Sequence, residues 1–186
     1  LDLGGTVMST AASIGSNGDG SGTIDIDVQA GELLPLGSVQ ASAGSASLKA
    51  RDGFGSDNGG NFTSLNTTVA TLAARATTAN AGIVITETDA LVIGNVGGIA
   101  GISTNGGGVF LKISGANVSL TIPDNLGVDT IRTAGGDADI KADNILIGTG
   151  GANLAITTSN GELTLQTSSN ATVLSIAGGT DQAGEL

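Results

Sequence analysis

Residues 16–28 read SNGDGSGTIDIDV, a glycine-rich half followed by a strictly alternating half, and the choice between a metal loop and a turn that feeds a strand decides the fold. Asn17, Asp19, Ser21, Gly22, Thr23, Ile24 and Asp25 fall at the first, third, fifth, sixth, seventh, eighth and ninth places of an EF-hand loop. Such a loop needs flanking helices and a bidentate acid at its twelfth place. That place is Val28, the preceding VMSTAASIGS is a poor helix, and the following IDVQAGELLPLG reads as strand and turn. The stretch is therefore a Gly/Asn turn entering a strand, with Ile24, Ile26 and Val28 inward and Asp25 and Asp27 outward. Weak calcium binding by Asn17, Asp19 and Asp25 is the alternative.

The alternation recurs along the chain. TIDIDV (23–28), ASLKAR (46–51), ATLAAR (70–75), ALVIG (90–94), VFLKI (109–113), TIRTA (130–134), NLAIT (153–157) and TVLSI (172–176) each centre on an aliphatic residue. Taking Ile24, Leu48, Leu72, Leu91, Leu111, Ile131, Leu154 and Leu174 as inward markers gives a loose period of roughly 20–24 residues. Second runs lie between them: LLPLGSV (33–39), FTSL (62–65), GIVIT (82–86), NVSLTI (117–122), NILIG (144–148) and ELTLQ (162–166). Clusters of Gly, Asn, Ser and Asp separate the runs and supply turns that tolerate positive φ. The Ala-rich VATLAARATTANAG is interrupted by Thr and makes no convincing amphipathic helix, so the chain is expected to be all-β.

Sandwich domains of the immunoglobulin kind need about 90–100 residues per repeat and buried aromatics. A repeat near 22 residues with two or three strands fits a parallel β-helix instead, a β-solenoid of about eight coils and roughly 40 Å at the usual strand spacing. Composition agrees. Of 186 residues 32 are Gly, there is no Trp, Tyr, Cys or His, and only three are Phe, so the core must be built in thin layers of small and branched side chains. An apolar fraction of 39% argues for folding rather than disorder. Residues 1–186 read as one solenoid segment, part of a longer repetitive chain or of an end-to-end stack, because open sheet edges template pairing. Leu1 in place of Met suggests a mature product or a fragment.

A net charge of −11 argues against nucleic acid or an anionic membrane as partner, since both need clustered Lys and Arg. No apolar run approaches the length of a membrane-spanning helix. The absence of His and Cys removes the usual nucleophilic triads and zinc motifs. Residues 135–143, GGDADIKAD, approach the calcium nonapeptide of β-rolls but place Ala138 and Ile140 where the turn glycine and ligand aspartate belong. Asp137, Asp139, Lys141 and Asp143 are read as an outward row, with Ala138, Ile140 and Ala142 inward. The basic residues Lys49, Arg51, Arg75, Lys112, Arg132 and Lys141 all fall outward, with no evident cleft that joins them to carboxylates. No catalytic, cofactor-binding or metal-binding residue is assigned, and no cofactor. Glycosylation sequons stand at Asn61, Asn66, Asn117 and Asn170.

NAGIVITETDALVIGNV (80–96), GDADIKADNILIG (136–148) and SNGELTLQTSS (159–169) resemble the degenerate repeats of large bacterial exoproteins of the filamentous-haemagglutinin kind. That resemblance implies a right-handed parallel β-helix, export to the cell surface or beyond, and a role as adhesin shaft, fibre or matrix component. The expectation is a non-catalytic, secreted structural segment whose partners are copies of itself or further repeats. A module that binds carbohydrate or a cell-surface partner is the second expectation, and a polysaccharide-active enzyme the third.

Overall fold

The computed structural model describes residues 2–3, 7–10, 14–15, 22–29, 33–36, 38–40, 44–57, 62–148, 153–169 and 175–177. Among them every regular element is a strand, and the two large sheets are parallel. The chain winds as a β-solenoid of about five turns, and strands Thr23–Val28 and Asp2–Leu3 extend the ladder before it.

Each later turn has three faces. In one turn they are Leu91–Ile93, Ile102–Asn105 and Val109–Ile113, and in the next Ser119–Ile122, Ile131–Arg132 and Ala138–Lys141. The first two faces begin as one. Thr71–Ala79, the Ala-rich stretch, is a nine-residue strand that pairs with Ser45–Ala50 on one side and with both Leu91–Ile93 and Ile102–Asn105 on the other. Alanine is a poor strand former, yet Ala74 and Ala76 are fully inward here, their small volume offsetting large neighbours in the stack.

Stacked aliphatic columns fill the interior, at least one on each face. Register aligns Ile24, Ala46, Leu72 and Ile93 in the first, and Ile26, Leu48, Ala74, Ile102, Ile131 and Ile156 in the second. Leu65, Ile85, Leu111, Ile140 and Leu165 form the third. The single marker series expected from spacing therefore mixes columns: Leu72, Ile131 and Leu111 stand on three different faces. Register partners lie 20 residues apart at Leu65 and Ile85 but 31 apart at Asn144 and Ser175, a wider spread than 20–24. Two antiparallel hairpins account for part of that irregularity, Ser56–Asp57 with Phe62–Thr63 and Asn95–Val96 with Ile99–Ala100. Leu154, expected inward, is 61% exposed, because Ile156 takes the place opposite Ile131. Leu174 lies outside the described residues.

The turns explain the glycine content. Thr104, Thr133 and Thr158 each donate a side-chain hydroxyl to the carbonyl three residues on, at Gly107, Gly136 and Gly161. The intervening backbone reverses through positive φ at Gly106, Gly135 and Ser159. These turns stack so closely that a Cβ on Gly136 would stand 2.4 Å from the carbonyl carbon of Gly107. Phe54, fully buried, bridges to Ile83 just before the first hairpin.

Candidate binding groove

Asp25 stands exposed on its strand and Asp27 half-buried, both outward as the alternation requires. Asp27 Oδ2 accepts from Lys49 Nζ at 2.7 Å, one turn on. Asn17 and Asp19 lie outside the described residues, and Asp25 sits near Gly97 of the second hairpin, which folds back over this face. Among the described residues no three acids gather to hold a metal ion. Asn66 and Asn117 are exposed, Asn117 in a turn with φ of 58°. Asn61 and Asn170 lie outside the described residues.

The acids show a pattern that single-sequence reading missed: several bond to a neighbouring turn. Asp52 Oδ1 accepts from Thr78 Oγ1 at 2.7 Å. Asp129 accepts from the Leu154 N–H at 2.9 Å and from Thr157 Oγ1 at 2.8 Å. Those bonds, with a smaller contribution from Arg132, hold the Asp129 carboxyl below its ordinary value. Asp137 Oδ1 accepts from the Glu162 N–H at 2.8 Å.

Asp143 departs from its expected outward place. It is buried at the corner after Ala138–Lys141, and its carboxylate accepts from the N–H and hydroxyl groups of Ser168 and Ser169 at 3.0–3.2 Å. Burial alone would raise its pKa, but the bonds from both serines outweigh it and hold the group below its ordinary value. The alternation stops at Ala142 because the chain bends there, so Asp143 turns toward the next coil instead of solvent.

Glu87 ends the third-face strand two turns earlier, in register with Ile113, and is fully buried. Its Oε1 accepts from the Thr88 and Asp89 N–H groups at 2.8 and 3.1 Å, and Oε2 from the Val69 N–H at 3.1 Å in the preceding turn. Burial pushes its carboxyl up, against the lowering effect of those bonds. The only sequence signal was its even spacing from Ile83 and Ile85, which places a charged residue on an inward position.

Several of the basic residues share columns. Lys49, Arg75 and Arg132 fall in one outward column with Ser103 between the last two, and Lys112 and Lys141 are direct partners in another. Arg132 also reaches the Ala100 carbonyl at 3.3 Å, tying its column to the second hairpin.

A groove of about 810 Å³ runs along the outside of the third face, across the glycine turns. Its floor passes from Gly55 and Gly82 through Gly107 and Gly108 to Gly136, where no side chain projects into it. Asp52, Asp137, Asp139 and Glu162 line it, with Val84 and Phe110 as its larger apolar side chains. Among the described lining residues there is no Lys or Arg. Lys141 stands beside it, its Nζ 5.0 Å from the Phe110 ring centre and 3.5 Å from Asp139 Oδ2. No protein family, no curated protein and no solved structure matches the chain.

Proposed function

We propose that this chain is a non-catalytic segment of an extracellular filament or adhesin shaft, a right-handed solenoid of about eight coils. Its role is reach and stiffness, and its partners are copies of itself or further repeats stacked end to end. The observation that carries this reading is the commitment of carboxylates to neighbouring turns. Asp52, Glu87, Asp129, Asp137 and Asp143 each accept hydrogen bonds from a turn 18 to 28 residues away in sequence. Acids used in this way hold coils in register, while catalysis needs them free to exchange protons. Parallel pairing supports the same reading, since ladders run from Asp2–Leu3 to Ser175–Ala177. Electron microscopy of the native material tests it: rods are expected, and discrete particles that never associate end to end would sink the filament.

The groove favours a second reading, a solenoid that also binds an elongated ligand along its axis. Its lining carboxylates present acceptors to hydroxyl groups, its glycine floor leaves room for them, and Phe110 offers a flat apolar face.

A further inference from the structure

Charge separates the ligand classes that could occupy the groove on the third face. Four carboxylates line it, those of Asp52, Asp137, Asp139 and Glu162, and no Lys or Arg is among the described lining residues. Arg51 and Lys141 pair with Asp52 and Asp139 from the margin of the groove, so an anionic polymer would meet a net excess of like charge there, in a chain that already carries −11. Capacity remains on these acids. Asp137 uses only Oδ1 to hold the Glu162 N–H and Asp52 only Oδ1 for Thr78, while Asp139 buries an unpartnered Oδ1 and turns Oδ2 toward Lys141, so its open oxygen is the one that the lysine shares.

The protein itself shows how a cation fits beside the groove. The Lys141 ammonium sits over the Phe110 ring and within reach of Asp139, a cation–π contact joined to a carboxylate. The groove crosses five turns, about 19 Å at the usual strand spacing, so an occupant is extended and runs along the solenoid axis. Gly108 and Gly136 carry no side chain, which leaves room along the floor for flat hydroxyl-bearing rings.

We propose that the groove binds an extended glycan carrying protonated amines, with amines at Asp137, Asp139 and Glu162 and a sugar face on Phe110. This rests on the groove being a binding surface, the second reading above. Lys141 then acts as an internal competitor, because it already occupies Phe110 and Asp139.

Titration calorimetry of the whole chain at mildly acidic pH, with glucosamine oligomers, N-acetylglucosamine oligomers, galacturonate oligomers and spermine, tests it. Glucosamine oligomers should bind, and more weakly as salt rises. Combined Asp137→Asn, Asp139→Asn and Glu162→Gln should weaken that binding about tenfold, the sum of several exposed ion pairs. Lys141→Met should tighten it, an effect that damage to the fold would not produce. Unchanged or weaker binding by K141M would overturn the proposed contact at Phe110 and Asp139. Equal affinity for the acetylated oligomer would overturn amine recognition while leaving a glycan groove, and equal affinity for spermine would overturn the glycan. Binding of none of these probes would overturn both this inference and the groove reading.

Discussion

The backbone N–H of Val69 lies 3.1 Å from Oε2 of Glu87, a fully buried acid that reaches from one turn of the solenoid into the turn before it. The other oxygen of Glu87 closes the corner of its own turn through Thr88 and Asp89. One side chain thus satisfies three backbone donors where the chain bends away from its ladder. Glu87→Ala should strand those donors and cost on the order of 3 kcal/mol, whereas Glu87→Gln keeps an acceptor and should cost about 1 kcal/mol. Chemical denaturation of the two variants checks the difference, and equal losses would contradict this role.

Two kinds of acid should give the stability of the fold opposite pH dependences. The native pKa of Glu87 is raised from its ordinary 4.5, so its contribution is full below that value and is lost as pH rises through the raised native value. Asp143 and Asp129 are lowered from 3.8, so theirs is present above that value and is lost as pH falls through the lowered native values. Melting temperature against pH, wild type minus variant, should slope in opposite directions for Glu87→Gln and Asp143→Asn. Parallel curves would count against both assignments.

Close stacking of the Thr-x-x-Gly turns can be tested separately from backbone strain. Gly136→Ala places a methyl group 2.4 Å from the Gly107 backbone and should cost about 2 kcal/mol or more. Gly127→Ala meets no atom within 4 Å but sits at φ of 80°, so strain alone should cost about 1 kcal/mol. A Gly136→Ala variant no less stable than Gly127→Ala would mean that the turns separate readily.

Lys49 and Asp27 form a short ion pair on a partly exposed surface. Replacing Lys49 with Met should change stability by at most about 1 kcal/mol, less in high salt. A larger, salt-insensitive loss would mean that the column of Lys49, Arg75 and Arg132 holds more than this pair.

Calcium titration addresses residues 16–28 directly. Added calcium should leave the melting temperature unchanged. A rise that Asp25→Asn abolishes would restore the metal reading for Asn17, Asp19 and Asp25.

Much of the strand content was legible because period-two alternation is a local property. Thr23–Val28 and Val109–Ile113 begin and end at the residues that alternation marks. The column each strand joins was not legible. Leu48 and Leu72 look alike in sequence, yet register puts Leu48 opposite Ala74 and Leu72 opposite Ile93, because two inserted hairpins and unequal turns change the step between coils. Asp139 could be placed outward from its alternation with Ile140, while Asp143 could not, since its partners Ser168 and Ser169 lie a whole turn away. The groove was hidden for the same reason, being assembled from Gly82, Gly108 and Asp137, which meet only through stacking.

Composition and alternation by themselves determined an all-β chain of thin aliphatic layers with acidic surroundings, since side-chain direction along a strand depends only on neighbouring residues. Tertiary structure alone decided which carboxylates hold the turns together and which remain open to the groove. That distinction depends on contacts between residues some 18 to 28 positions apart, and their distances are set by how the coils stack.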